Sequence, residues 1–450
     1  MDKTNRDSFS GKFGVFIAVV GSAVGLGNIW RFPYMVGENG GGAFIIVYFG
    51  FVLIIGIPAM LSEFIVGRKG QSNAYGSFKK LAPKKPWYLV GLMGILATFV
   101  ILAFYSTISG WTLEYIVLAL KDIFSSSAAI QDPAQVFEHF HTQAVRPLVW
   151  QVVIMLMTAF IIMFGVKKGI EKSAKILMPA LLVFLIILAI KSLTLPNSME
   201  GLRFMFDFDF SKINSNVLLS ALGQSVFSLS VGMGTLITYG SYIRKDNNLS
   251  HTAFSVSITD TIVAVLAGIV IFPAVFSFGM NPEQGAGLVF VMFPAIFQQM
   301  TGGVYFALLF FVLVAIAALT SLVSLLEVVV AYLVEEFKIK RVVATFSATA
   351  LSCIFGAFTT LSFGPLKHVK LFDKSIFDIS DFLASNILLP LGAFLVIVFL
   401  GWFYDIRQTK AEISNQGTLK VRLFPVYVLI IRYIAPLAIL LVFLRGIGVV

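Results

Sequence analysis

A series of long apolar segments, separated by short charged clusters, runs through this chain and limits the folds open to it. About 20 residues cross the hydrocarbon core of a bilayer as a helix, and each of these segments is close to or above that length. The eleven predicted spans lie near residues 13–37, 42–67, 88–120, 148–165, 173–193, 217–243, 253–279, 303–334, 342–361, 383–404 and 424–446. The pattern predicts an all-α integral membrane protein with about eleven transmembrane helices.

Composition excludes an ordinary soluble protein. The 450 residues are 58% hydrophobic and 12% charged, whereas soluble proteins are about 25% charged. The spans leave no room for a separate catalytic domain, and no group of cysteine, histidine and carboxylate residues in the sequence resembles a catalytic centre. The single cysteine, Cys353, excludes an internal disulfide. We therefore expect a membrane protein that is not an enzyme.

The basic residues indicate how the chain is oriented. Of the 33 lysines and arginines, 22 lie in six clusters that occupy alternate loops, at residues 1–12, 68–85, 167–175, 244–245, 338–341 and 407–422. Loops rich in lysine and arginine stay on the cytoplasmic side. This also accounts for the net charge of +10 without a nucleic-acid partner. We expect a multi-pass plasma-membrane protein with its N-terminus in the cytoplasm and its C-terminus outside.

Two of the spans share an interruption. Residues 21–27 of the first span include three glycines, and residues 228–234 of the sixth include two. Each glycine costs about 1 kcal/mol relative to alanine in a helix, which favours local unwinding. Paired interruptions in corresponding spans indicate an inverted-repeat transporter with its site at mid-membrane. Close packing of small residues is an alternative, because Gly21 and Gly25 also form a GxxxG pattern.

The interrupted spans carry two long motifs. Residues 21–33 read GSAVGLGNIWRFP, and residues 38–44 read ENGGGAF. Residues 223–230 read GQSVFSLS, and residues 238–246 read TYGSYIRKD. The first pair closely resembles the first-helix signature of the neurotransmitter:sodium symporter family, and the second pair resembles its sixth helix. The likeness extends from Arg6 to about Tyr404.

The resemblance implies the fold of the bacterial leucine transporter, with two inverted five-helix repeats and helices one and six unwound at mid-membrane. The repeats would occupy residues 1–195 and 196–405, and residues 406–450 would add an eleventh helix. The chain would lack the twelfth helix of animal members and of the bacterial leucine transporter, as several bacterial members do. The implied function is sodium-coupled import of an amino acid by alternating access, with no obligatory protein partner.

The resemblance also implies a substrate site. Amides around Leu26 and Gly27 and the hydroxyl of Tyr105 would bind the substrate carboxylate, because helix N-termini favour anions. Carbonyls around Ala23, Phe227 and Ser228 would accept from its ammonium group. The side-chain pocket would be lined by Ser22, Ile101, Phe227, Ser230, Met233, Ser321 and Leu325. None of these side chains would pair with a charged substrate side chain, so we expect hydrophobic or aromatic amino acids.

Two sodium sites follow from the same resemblance, since carbonyls freed by unwinding can coordinate Na⁺. One would use Ala23, Asn28, Ser228 and Asp260 with the substrate carboxylate. The other would use Gly21, Val24, Ala317, Thr320 and Ser321. Asp260 is a carboxylate inside a span and is therefore expected to be functional. An acidic residue there is similar to chloride-independent bacterial members. If the alignment of the seventh span with the family slips by one position, Thr259 would be the ligand instead.

Charged pairs match the family's gates. Arg31 and Asp381 correspond to the outer gate, above an aromatic lid of Tyr105 and Phe227. Arg6 and Glu335 correspond to the inner gate, with Phe9 and Tyr242 nearby. Glu63 would satisfy the unwound sixth helix in a structural role.

Other functions remain open from the sequence. Proton coupling is the nearest alternative, because Asp260 and Glu63 could titrate. A ligand-binding membrane sensor is a weaker alternative, since no output domain is visible. A channel should pass current without a saturating substrate flux.

Overall fold

The computed structural model describes residues 7–124, 132–280 and 288–449. Long helices dominate this part of the chain. We number the spans α1a (Lys12–Ala23), α1b (Gly27–Glu38), α2 (Gly42–Gly70), α3 (Tyr88–Phe124), α4 (Val145–Met163), α5 (Val166–Leu193), α6a (Ser215–Ser228), α6b (Thr235–Tyr242), α7 (Leu249–Ser277), α8 (Gly303–Glu336), α9 (Arg341–Leu361), α10 (Ile376–Phe403) and α11 (Phe424–Gly446). Five shorter helices connect them, at Ala74–Leu81, Pro133–His141, Ser198–Phe206, Phe293–Gln299 and Ile406–Ile413.

The prediction of an all-α membrane protein is confirmed. Nine helices within the described ranges are long and apolar enough to cross a membrane. The pair α1a and α1b forms a tenth span, bent by 55° at its break. The two halves of α6 lie on either side of residues 229–234, within the sixth predicted span.

Unwinding of the first helix begins at Val24. Its backbone is extended, with φ −71° and ψ 110°, so α1a ends at Ala23. Helical structure resumes with a wide π-helical turn at Gly27–Arg31, and Pro33 stands in the first turn of the α-helix that follows. The carbonyl end of α1a and the amide end of α1b therefore face a common gap.

Unwinding of the sixth helix depends on left-handed backbone. Ser230, Gly232 and Gly234 all have positive φ, at 55°, 89° and 74°. Glycine adopts this conformation without steric cost. A side chain at Gly232 would also collide with the carbonyl oxygen of Leu389 on α10. Glycine at 232 thus both permits the turn and lets α10 approach the break.

Two helices, α5 and α10, begin seven residues earlier than the sequence predicts, α10 at Ile376 rather than near residue 383. We expected the fifth span from about residue 173, because Lys167 and Lys168 read as a loop. The structure starts α5 at Val166 with a wide π-helical turn. The two lysines are exposed while Val166 and Ile170 are buried, so the basic cluster occupies the polar face of an amphipathic helix end.

Candidate substrate and ion site

A buried polar cluster joins the two breaks to α7. The Asn28 side-chain amide donates to the Asp260 carboxylate (Nδ2 to Oδ1, 2.8 Å). The Ser228 hydroxyl donates to the other carboxylate oxygen at 2.6 Å. All three side chains are at most 3% exposed. A carboxylate, an amide and a hydroxyl from three helices therefore meet where α1a and α6a end.

The structure distinguishes the two candidate positions in the seventh span. Thr259 is half-buried, and its hydroxyl donates to the Ser255 carbonyl of its own helix at 2.8 Å. Asp260 is fully buried and reaches both breaks. Adjacent helical residues point in directions about 100° apart, so only Asp260 faces the cluster.

The residues expected at the second sodium site come from α1a, from the break that begins at Val24, and from α8. The β-carbon of Thr320 lies 3.7 Å from the position that a side chain at Gly21 would occupy. Ser321 packs against Gly25 in the break. The Thr320 hydroxyl donates to the carbonyls of Ile316 and Ala317, both at 3.1 Å. A hydroxyl that donates in this way keeps oxygen lone pairs for a cation.

A cavity of about 270 Å³ opens above the breaks. Four residues of the predicted substrate site line it: Leu26, Gly27, Tyr105 and Phe227. The Leu26 N–H donates to the Tyr105 hydroxyl at 3.1 Å. The Phe227 ring lies 3.3 Å from the position of a β-carbon at Gly27. The cavity thus presents one backbone donor and one hydroxyl beside an aromatic wall.

Sequence reasoning missed several lining residues: Trp30, Tyr34, Phe104, Ile108 and Phe377. Helical spacing could have found Ile108, which lies one turn after Tyr105 on α3. Phe377 lies one turn before Asp381 on α10, but the predicted span began only at residue 383. Residues three or four apart share a helix face, so these neighbours of predicted site residues face the same space.

The other residues assigned to the substrate site lie buried outside the cavity lining: Ser22, Ala23, Ile101, Ser228, Ser230, Met233, Ser321 and Leu325. Backbone groups of the breaks hold some of them in place. The Ser230 hydroxyl donates to the Ser22 carbonyl at 3.2 Å. The Thr98 hydroxyl on α3 donates to the Met233 carbonyl at 2.5 Å, a contact that the sequence did not suggest.

Glu63 reaches the unwound part of the sixth helix. The Gly232 N–H donates to one oxygen of its carboxylate at 2.6 Å. Its second oxygen is buried and has no hydrogen-bond partner within the described ranges. Glu63 on α2 thereby accepts a hydrogen bond from the Gly232 amide, which unwinding leaves without a partner in its own helix.

Arg31 and Asp381 line the cavity together without forming an ion pair. The Arg31 guanidinium carbon lies 3.9 Å from the centre of the Phe227 ring. Asp381 is exposed and accepts from the Ser385 hydroxyl at 2.9 Å. The two predicted outer-gate residues therefore face one space with no contact across it.

The opposite side of the breaks is closely packed. Phe9 is fully buried, and its N–H donates to the Tyr242 carbonyl at 3.2 Å. The Tyr242 hydroxyl donates to Glu327 at 2.7 Å, and Arg341 pairs with the same carboxylate. Glu335 accepts from Asn73 N–H at 2.7 Å. Arg6, its predicted gate partner, lies outside the described residues.

Comparisons with known proteins fit this geometry. The family model for the sodium:neurotransmitter symporter family matches residues 6–129 and 139–450. The chain belongs to this family. The family is itself one of the groups from which the rule of paired helix interruptions was drawn. The resemblance stated from the motifs is thus confirmed. Members of this family are transporters rather than enzymes.

Individual relatives are similar over nearly their whole length. The sodium-dependent transporter YhdH of Bacillus subtilis is 39% identical over 449 residues, covering 100% of this chain and 99% of the relative. A sodium-dependent transporter of Haemophilus influenzae is 37% identical and covers 98% of both chains. The crystal structure of MhsT with L-phenylalanine superposes with a TM-score of 0.90 at 46% identity, covering 98% of this chain and 100% of MhsT. Sodium-dependent transport across a membrane follows from the family.

Proposed function

We propose that the protein imports hydrophobic and aromatic L-amino acids by sodium symport and alternating access. The observation that carries the proposal is the Asn28, Ser228 and Asp260 cluster, which lies where two broken helices end beside the cavity. Helix ends offer amides to a carboxylate and carbonyls to cations without burying permanent charge. The carboxylate and the ammonium group of an amino acid, and a sodium ion beside them, would each have partners at these helix ends.

The substrate carboxylate would bind the amides of Leu26 and Gly27 and the Tyr105 hydroxyl. The Leu26 N–H and Tyr105 hydroxyl already bond one another, so both groups are positioned before substrate arrives. The ammonium group would bind carbonyls of Ala23, Phe227 and Ser228. The lining residues Phe104, Ile108 and Phe377 favour an apolar side chain. The L-phenylalanine bound to MhsT supports an aromatic substrate.

Two sodium ions would bind, one at the Asp260 cluster and one between α1a and α8. Each charge moving inward gains about 2.3 kcal/mol per 100 mV. Two ions with a neutral zwitterion gain about 4.6 kcal/mol, which permits over roughly a thousandfold accumulation, whereas one ion permits roughly fiftyfold. The Asp260 carboxylate would supply the negative charge beside the ion, so transport would not require chloride.

Alternating access would use the two predicted repeats, residues 1–195 and 196–405, with residues 406–450 as an added helix. The outer gate would close when Arg31 approaches Asp381. The inner gate would open when Arg6 leaves Glu335 and the packing of Phe9 against Tyr242 breaks. This assignment places the N-terminus in the cytoplasm and the C-terminus outside.

Transport in liposomes tests the proposal. The purified protein should accumulate labelled phenylalanine, leucine and tryptophan when sodium is outside, and should accumulate none when potassium replaces it. Excess unlabelled tyrosine should compete, and excess glutamate or lysine should not. Uptake driven by a proton gradient without sodium would refute sodium coupling. Binding without accumulation would indicate a sensor instead.

A further inference from the structure

The last turn of α10 and the first half of α11 form a reciprocal clamp. Each contains a wide π-helical turn, at Phe399–Phe403 and Ile430–Ile434. The indole N–H of Trp402 donates to the Arg432 carbonyl at 3.0 Å. The Arg432 Nε–H donates to the Gly401 carbonyl at 2.8 Å. Such turns release backbone carbonyls and occur often at functional sites. Here the side chains of Trp402 and Arg432 each donate to a backbone carbonyl of the opposite helix.

The clamp requires glycine at position 401. A β-carbon there would lie 2.9 Å from the Ile431 carbonyl oxygen and 3.4 Å from Cγ of Arg432. Close approach of the helices therefore fixes the position of the arginine. Gly401 is only two residues before the end of α10 at Phe403, so the guanidinium lies beside the end of one span although Arg432 itself belongs to another.

Within the described ranges, Arg432 has no balancing carboxylate. It is half-buried, and no acidic group of the described ranges lies within ion-pair distance of it. Its Nε–H is the only one of its five N–H groups with a hydrogen-bond partner in those ranges. A cation inside a span is costly without a partner and marks a functional site by default.

The surroundings of Arg432 are those of a lipid headgroup region. Trp402 and Tyr433 are 56% and 55% exposed, and their ring centres lie 5.5 Å apart. The guanidinium carbon lies 5.9 Å from the Trp402 ring. The next residue, Phe403, has the Lys85 ammonium 5.7 Å from its ring centre. Exposed aromatics flanked by basic groups are typical of the membrane interface.

We propose that Arg432, held by Trp402 and Gly401, binds the phosphate of an anionic phospholipid. A guanidinium fork fits a phosphate bidentately, and Leu437, on the side of Arg432 away from the loop, is exposed to accommodate an acyl chain. The neighbouring loop, residues 404–423, contains four basic and two acidic residues. This excess favours a lipid with net negative charge over a zwitterionic one.

Native mass spectrometry of the full-length protein in detergent tests the proposal. We would titrate phosphatidylglycerol and, separately, phosphatidylcholine with the same acyl chains. The wild type should bind phosphatidylglycerol at least tenfold more tightly. Arg432→Gln should abolish that preference, and Arg432→Lys should retain part of it, because the charge remains without the fork. Arg422→Gln removes the same charge from an exposed position just before α11 and should leave the preference intact.

Three results would overturn the proposal. The first is a wild type that binds both lipids equally, which needs no variant and stands even if Arg432→Gln does not fold. The second is an equal loss in Arg422→Gln and Arg432→Gln, since it would indicate general surface charge. The third is displacement of phosphatidylglycerol by millimolar glycerol phosphate, which would indicate a soluble anion. Trp402→Phe keeps the ring but loses the N–H, and should weaken the preference several-fold.

Discussion

Asp260→Asn isolates the charge of the central carboxylate. The structure explains why the variant should fold: the amide oxygen can still accept from Asn28, and the Ser228 hydroxyl can rotate to accept from the new amide group. Hydrogen bonding and shape are thereby retained. Only the negative charge is lost.

The magnitude follows from the size of the cluster. Asp260 and Asn28 are 2.8 Å apart, so a sodium ion bound between them lies within about 4 Å of the carboxylate. Two unit charges at that distance interact by about 4 kcal/mol at an effective dielectric constant near 20. The dipole of the amide group that replaces the carboxylate in Asp260→Asn still attracts the ion and retains part of this energy. We expect sodium affinity to fall roughly a hundredfold, which is about 2.7 kcal/mol.

Thermal unfolding in sodium and potassium measures this loss. A ligand that binds only the native state raises its stability in proportion to the logarithm of concentration over Kd. The sodium titration of Asp260→Asn should shift to roughly hundredfold higher concentrations. Without sodium the variant should be more stable than the wild type, because it no longer buries an uncompensated charge. Thr259→Val is the matched control. An unchanged sodium titration in Asp260→Asn would refute the assignment.

Three further outcomes are expected. Tyr105→Phe removes the hydroxyl beside the Leu26 amide and should weaken labelled-phenylalanine binding by about 1 kcal/mol, roughly fivefold, with an unchanged sodium-induced thermal shift. Gly25→Ala places a methyl group against the Ser321 hydroxyl and should abolish phenylalanine binding, whereas Gly50→Ala, which meets nothing within 4 Å, should bind normally. Replacing external chloride with gluconate should leave liposome uptake unchanged, and a loss would contradict chloride independence.

Hydropathy predicted the spans because a bilayer admits few alternatives. Backbone groups in lipid must be hydrogen-bonded internally, so each apolar segment becomes a helix. The eleventh span agrees at both ends, at 424 and 446. The short helices Ala74–Leu81 and Ser198–Phe206 were not predicted, because they mix polar and apolar residues and lie between spans. The glycines of residues 21–27 and 228–234 favoured unwinding but left close packing of small residues open. The family resemblance carried the prediction of the breaks.

The sequence did not predict contacts between residues that lie far apart along the chain. Arg68 reads as one more basic loop residue, yet the structure buries it to 1% exposure. Its Nε lies 2.6 Å from the Glu412 carboxylate, and Nη1 donates to the Asn247 carbonyl at 2.7 Å. These partners are 344 and 179 positions away. Local pattern carries no information about pairs at such separations, so the family resemblance alone brought Asn28, Ser228 and Asp260 together.

Asn28 connects the proposed ion site to the proposed substrate site through very few atoms. Its side-chain oxygen accepts from the Gly25 N–H at 3.0 Å, while its amide group donates to Asp260. A sodium ion coordinated by this oxygen would share it with the Gly25 N–H and would draw electron density from the bond that holds Gly25. The next residue, Leu26, presents its amide to Tyr105 in the cavity. Ion binding would thus alter the backbone one residue from the carboxylate-binding amide, and thermodynamic linkage requires the substrate to alter sodium affinity by the same factor.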